Sequence, residues 1–166
     1  TAPSFPAKGV SSSLDSFLKS MDEILSWNWD NTKIVVEHCD ASVSKQPFEK
    51  GFFAIEDEIQ SLSRISNSYK VGITINWARS AIEGKSSDKP IEHLELASRN
   101  KILSGLIFSG VSKRDEHYGE WKDTHMPFAR SYNVEHYEDN SLLTLENITG
   151  FQAVHKQLML EDKVQK

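Results

Sequence analysis

The chain has 166 residues, 38% of them hydrophobic and 26% charged, enough for one domain with a core and too few for two. Its net charge of −5 argues against a nucleic acid or an anionic membrane as the main partner, although a local pocket can oppose that sign. A single cysteine excludes an internal disulfide, and there is neither a bilayer-length apolar run nor a leader pattern, so the expected compartment is the cytoplasm.

The opening TAPSFPAKG, with two prolines and a glycine, reads as a loop. Leu14, Phe17, Leu18, Met21, Ile24, Leu25 and Trp27 then recur near a 3.6-residue period, which predicts a helix capped by a serine among residues 11–13. KIVVEH, at 33–38, is a short β-branched run and reads as a buried strand. AIEDEIQSLSRIS is helical, with Ile55, Ile59, Leu62 and Ile65 on one face. KVGITINW supplies a second strand, and DKPIEHLELASRN a helix with Pro90 near its first turn, where a missing N–H costs nothing. ILSGLIFSG is the third strand; an irregular stretch over 111–140 precedes a last helix around 144–160.

Strand starts near 33, 70 and 103 give a βα unit repeated every 33–37 residues. That repeat predicts right-handed crossovers and a parallel sheet, hence an α/β fold. No Gly-rich phosphate loop follows any strand, which disfavours the nucleotide-binding members of the class. Three strands, with a leading loop and helix that read as the tail of a fourth unit, make about half of a (β/α)8 barrel, and the chain opens on Thr1 rather than Met. The expectation is therefore a partial barrel that either self-associates into a homo-oligomer or belongs to a longer chain. Val35, Ile73, Ile75 and Ile107 are expected on its interior, short of an opposite wall.

Chemistry in such proteins gathers where parallel strands end. The three ends are EHCD at 37–40, NWARS at 76–80 and SGVS at 109–112, each turning polar as the apolar run stops. Residues i and i+2 share a face, so Glu37, Asn76 and Ser109 are expected in one site, with His38, Asp40, Trp77 and Arg79 around its mouth. Carboxylate, amide and imidazole donors suit Mg²⁺, Mn²⁺ or Zn²⁺. Glu37 could equally serve as a general base beside a carbonyl, with His38 and Asp40 assisting and Trp77 stacking on a sugar ring. Arg79 could hold a substrate anion or pair with Glu83. His125, in the long irregular segment, is a further substrate-binding candidate. Cys39 reads as a small buried hydrophobe and His93 as a surface or helix-packing residue.

The segments VVEHCDA, EKGFFAIEDEI, GITINWARSAIE, GLIFSGVS and THMPF, in that order and spacing, resemble an uncharacterised bacterial family of xylose-isomerase-like (β/α)8 barrels. The resemblance implies that the three strands are the fifth to seventh of a barrel whose other strands lie outside this sequence. It implies a sugar isomerase or epimerase, with a divalent metal held by acidic and histidine residues at the ends of strands five to eight. Glu37 matches the fifth-strand glutamate and is the implied metal ligand; Asn76 stands where many relatives have aspartate, and Ser109 where they have histidine. The partner expected on this reading is a small sugar-like molecule, with no nucleic acid or membrane. The alternatives are a non-catalytic carbohydrate- or polyol-binding module, or a truncated barrel fragment.

Overall fold

A computed structural model describes residues 14–43, 45–66, 71–131 and 135–164. The opening loop, the serine cap of the first helix and Lys70 lie outside them. Helix α1 (Leu14–Ser26) buries Phe17 and Met21 against α2 (Ile55–Ser66), with the rings of Phe17 and Phe53 6.2 Å apart. In α2 the buried stripe is Ile55, Ile59, Leu62 and Ile65.

Strands β1 (Val35–His38), β2 (Gly72–Asn76) and β3 (Leu103–Ile107) form one parallel sheet in the order β1-β2-β3. The chain is thus α/β, with neighbouring strands joined by helical crossovers. The register pairs Val36 with Ile73 and Glu37 with Thr74 on one side. It pairs Thr74 with Gly105 and Asn76 with Ile107 on the other, and Ser104 is the extra residue of a bulge in β3.

Register then sorts the side chains by face. Val36, His38, Ile73 and Ile75 are buried on the helix-covered face, where each aliphatic contributes on the order of 1.5–3 kcal/mol. Val35, Glu37, Thr74, Asn76, Gly105 and Ile107 share the opposite face. There Val35 and Ile107 are 40% and 36% exposed. The expectation that Ile73 and Ile75 line an uncovered interior is therefore corrected: they pack under the helices, and only Val35 and Ile107 of that set are left open.

A helix that the sequence reading did not contain, α3 (Trp77–Gly84), starts directly after β2. Residues 77–83 are all buried, so no polar face marks a helical period, and the apolar run simply continues the strand. Asn76 caps it through its side chain, and Lys85 ends it in the left-handed region with φ 47°. Helix α4 (Lys89–Arg99) carries Pro90 in its first turn and packs between α3 and the long α5 (Leu145–Val164). The segment after β3 is tied back by bridges from Gly110 to Met126 and from Ser112 to Ser141. Among the described residues no helix is long and apolar enough to cross a membrane.

Candidate functional site

At the C-terminal edge of the open sheet face, Asn76 organises three side chains. Its Oδ1 accepts from the backbone N–H groups of Ala78 (3.1 Å) and Arg79 (3.4 Å), which fixes the amide's orientation. Ser109 Oγ donates to the same oxygen at 3.0 Å. The amide nitrogen is thereby aimed at Glu37, donating to Oε1 at 2.8 Å. Glu37, Asn76 and Ser109 stand together on one face, with Glu37 the half-buried member.

Asp40 and Arg79 are engaged with other partners. Arg79 Nη1 donates to Asp40 Oδ1 at 3.1 Å, and its Nη2 to Asp123 Oδ2. Asp40 Oδ2 accepts from Glu49 N and Lys50 N at 2.9 and 2.8 Å, while Asp123 N donates to Glu49. A buried guanidinium between two carboxylates thus ties together the loops after β1 and β3 and helix α3. Arg79 is thus paired with Asp40 and Asp123 rather than Glu83 and offers no free charge to a substrate anion, and both oxygens of Asp40 are engaged, by Arg79 and by the backbone at 49–50, away from Glu37.

His38 points the other way, into the layer between sheet and helices. Its Nδ1 donates to Glu58 Oε2 at 2.8 Å and its Nε2 lies 3.2 Å from Glu83 Oε2. His93 reaches the same place from α4: Nδ1 lies 2.9 Å from Ser80 Oγ and Nε2 lies 3.3 Å from Glu83 Oε1. That last contact is close but not aligned as a hydrogen bond, so His93 Nε2 is a buried polar atom without one; Glu58 Oε1 is another. Burial pushes the His38 imidazole down, but the charges and hydrogen bonds of Glu58 and Glu83 outweigh it and raise its pKa to about 9. Burial raises the Glu58 carboxyl. Burial pushes Glu83 up as well, yet its hydrogen bond with His38 and the close imidazole of His93 hold it far below the usual carboxylate range. Burial lowers His93.

The remaining candidates do not converge. Trp77 is 1% exposed and belongs to the core, so it cannot stack on a sugar. His125 is exposed, 3.8 Å from Asp123. Cys39 is buried and its thiol is pushed up to about 12 chiefly by desolvation, as a small hydrophobe's would be. Among the described residues the one group of three side chains placed to hold a metal is His38, Glu83 and His93; Glu37 is in no such group. A cleft of about 300 Å³ lies between Phe48, Glu49, Lys85 and Trp121, and Glu37, Asn76 and Ser109 do not line it.

Sequence reasoning missed Glu58 and Asp123, read Glu83 only as a partner for Arg79, and took His93 as a surface or packing residue. The signal for His93 was its spacing with Pro90, Leu94 and Ala97, which are the buried residues of α4. Glu58 sits on the same stripe of α2 as Ile55, Ile59 and Leu62.

The family model described as "Domain of unknown function (DUF4862)" matches residues 1–160. A curated relative, "Uncharacterized protein STM3670" of Salmonella typhimurium, is 38% identical over 128 residues, which is 77% of this chain and 39% of that protein. The chain thus spans about two fifths of the length of the curated relative that it matches. No solved structure matches it.

Proposed function

We propose, for a chain that belongs to the DUF4862 family, that the open sheet face is a proton-transfer site of the sugar isomerase or epimerase class, built on part of a (β/α)8 barrel. The carrying observation is the relay Ser109–Asn76–Glu37, which holds one carboxylate oxygen at the C-terminal edge of a parallel sheet. Glu37 takes the proton from the hydroxyl-bearing carbon beside a substrate carbonyl, and the C–H electron pair moves onto the carbonyl oxygen as an enediolate forms. Returning the proton to the neighbouring carbon, while the hydroxyl proton passes to the former carbonyl oxygen, isomerises the sugar; protonation of the first carbon from its opposite face by a solvent water, with Glu37 keeping the abstracted proton until it is lost to solvent, epimerises it. Because Arg79 is neutralised by Asp40 and Asp123, an uncharged sugar suits the site better than a phosphorylated one. The resemblance implies a metal beside Glu37, but the described residues supply only that one carboxylate, which does not make a divalent centre. The step is therefore derived for the carboxylate alone.

The test uses the full-length protein with neutral aldoses and ketoses in deuterated water, reading solvent deuterium at the carbons next to the carbonyl by NMR. Glu37→Gln keeps the hydrogen bond from Asn76 but removes the base, and is expected to slow exchange by about 10²–10⁴-fold. Exchange at the wild-type rate in that variant would end the reading. Sugar binding without any exchange in the wild type would favour a binding module instead.

A further inference from the structure

On the helix-covered side of the sheet, and independent of Glu37, the structure places two imidazoles around one carboxylate. We propose that His38, Glu83 and His93 form a buried structural site for a transition-metal ion of the zinc class, joining β1 to α3 and α4. Both imidazoles present Nε2 to Glu83, at 3.2 and 3.3 Å. Ligand atoms set tetrahedrally at zinc bond lengths lie about 3.3–3.4 Å apart; each imidazole stands at that spacing from one oxygen of Glu83, His38 from Oε2 and His93 from Oε1, and one ligand atom from each of the three residues lies within 4.8 Å of the others. Each imidazole is oriented through its other nitrogen, His38 by Glu58 at 2.8 Å and His93 by Ser80 at 2.9 Å. Outer partners of that kind are what fix a ligating histidine's tautomer and ring plane.

A second observation points to an occupant. His93 is 2% exposed, and its Nε2 faces Glu83 without a hydrogen bond; Glu58, fully buried against His38, likewise has an oxygen without one. Buried polar atoms are otherwise nearly always satisfied. A divalent ion answers both the geometry and the charge, because Glu83 and Glu58 balance it with two neutral imidazoles. Two nitrogen donors favour zinc-like ions over Mg²⁺ or Ca²⁺. With His38, Glu83 and His93 all buried, the position is closed to substrate and the role is structural.

Full-length protein stripped with a chelator is equilibrated with Zn²⁺ or Co²⁺ alone. Expected are retention of a single ion at this site, a higher thermal midpoint, the visible Co²⁺ spectrum of a tetrahedral centre and an X-ray absorption shell containing two imidazoles. His93→Phe removes a ligand at similar volume and is expected to abolish retention. Ser80→Ala removes only the orienting hydroxyl and is expected to weaken affinity about 10- to 100-fold, which keeps the test decisive if the first variant does not fold. No retained ion, an all-oxygen octahedral shell, or unchanged affinity in Ser80→Ala would overturn the proposal.

Discussion

His38 shows how far one side chain's chemistry depends on residues distant in the chain. In chelator, with no metal bound, its pKa of about 9 lies above the 6.5 of an unperturbed imidazole, so the proton is bound more tightly by the folded state. A raised pKa gives stability that is whole below about 6.5 and lost as pH rises through about 9. Glu58, also raised, works in the same direction. Glu83 and His93 are lowered, so their contributions shrink as pH falls below 4.5 and 6.5 respectively. Urea unfolding in chelator should therefore show a midpoint that falls as pH rises from about 6.5 toward 9; a midpoint flat or rising over that window would contradict the assignment. None of His38's partners was legible beside it. Glu58 and Glu83 are 20 and 45 residues away, brought together by packing rather than by any local spacing. The Glu37, Asn76 and Ser109 arrangement was legible, because strand alternation and parallel register are local rules that a short sequence already obeys.

At the level of elements, what could be read were the pieces with a polar side. Helices α1, α2 and α4 each expose one face, and the 3.6-residue stripe on the other marks them. The buried α3 has no such contrast, and so Trp77 and Arg79 were assigned to a strand end instead of a helix. Glycines of different elements give opposite expectations. A Cβ on Gly110 would stand 2.2 Å from the carbonyl oxygen of Met126 and 2.7 Å from that of Pro127, where the segment after β3 crosses back. Gly110→Ala should therefore destabilise by about 1–3 kcal/mol, as overpacking does. Gly150 lies on exposed α5 with nothing within 4 Å of its added Cβ, so Gly150→Ala should stabilise by about 0.5–1 kcal/mol. Chemical denaturation of the two variants checks both signs; equal effects would mean that the backbone crossing at Gly110 is looser than described.

For the whole molecule, the sheet determines behaviour. Three parallel strands cannot close on themselves, and among the described residues β1 and β3 each pair along one side only. An unpaired strand edge offers a row of N–H and C=O groups to any other chain. The face above it adds Val35 and Ile107, apolar and open beside the half-buried Glu37. Edge and face together favour association, because pairing satisfies the backbone while burial removes apolar surface from water. The chain of 18.8 kDa, studied by itself, should therefore sediment above its own mass, and more so as concentration rises. Lysines in place of Val35 and Ile107 would put charge on the face without touching the helix-covered core, and should return the chain to a monomer. A wild-type chain that stays monomeric at tens of micromolar, or a double variant that associates as strongly, would show that the open face is not what draws copies together.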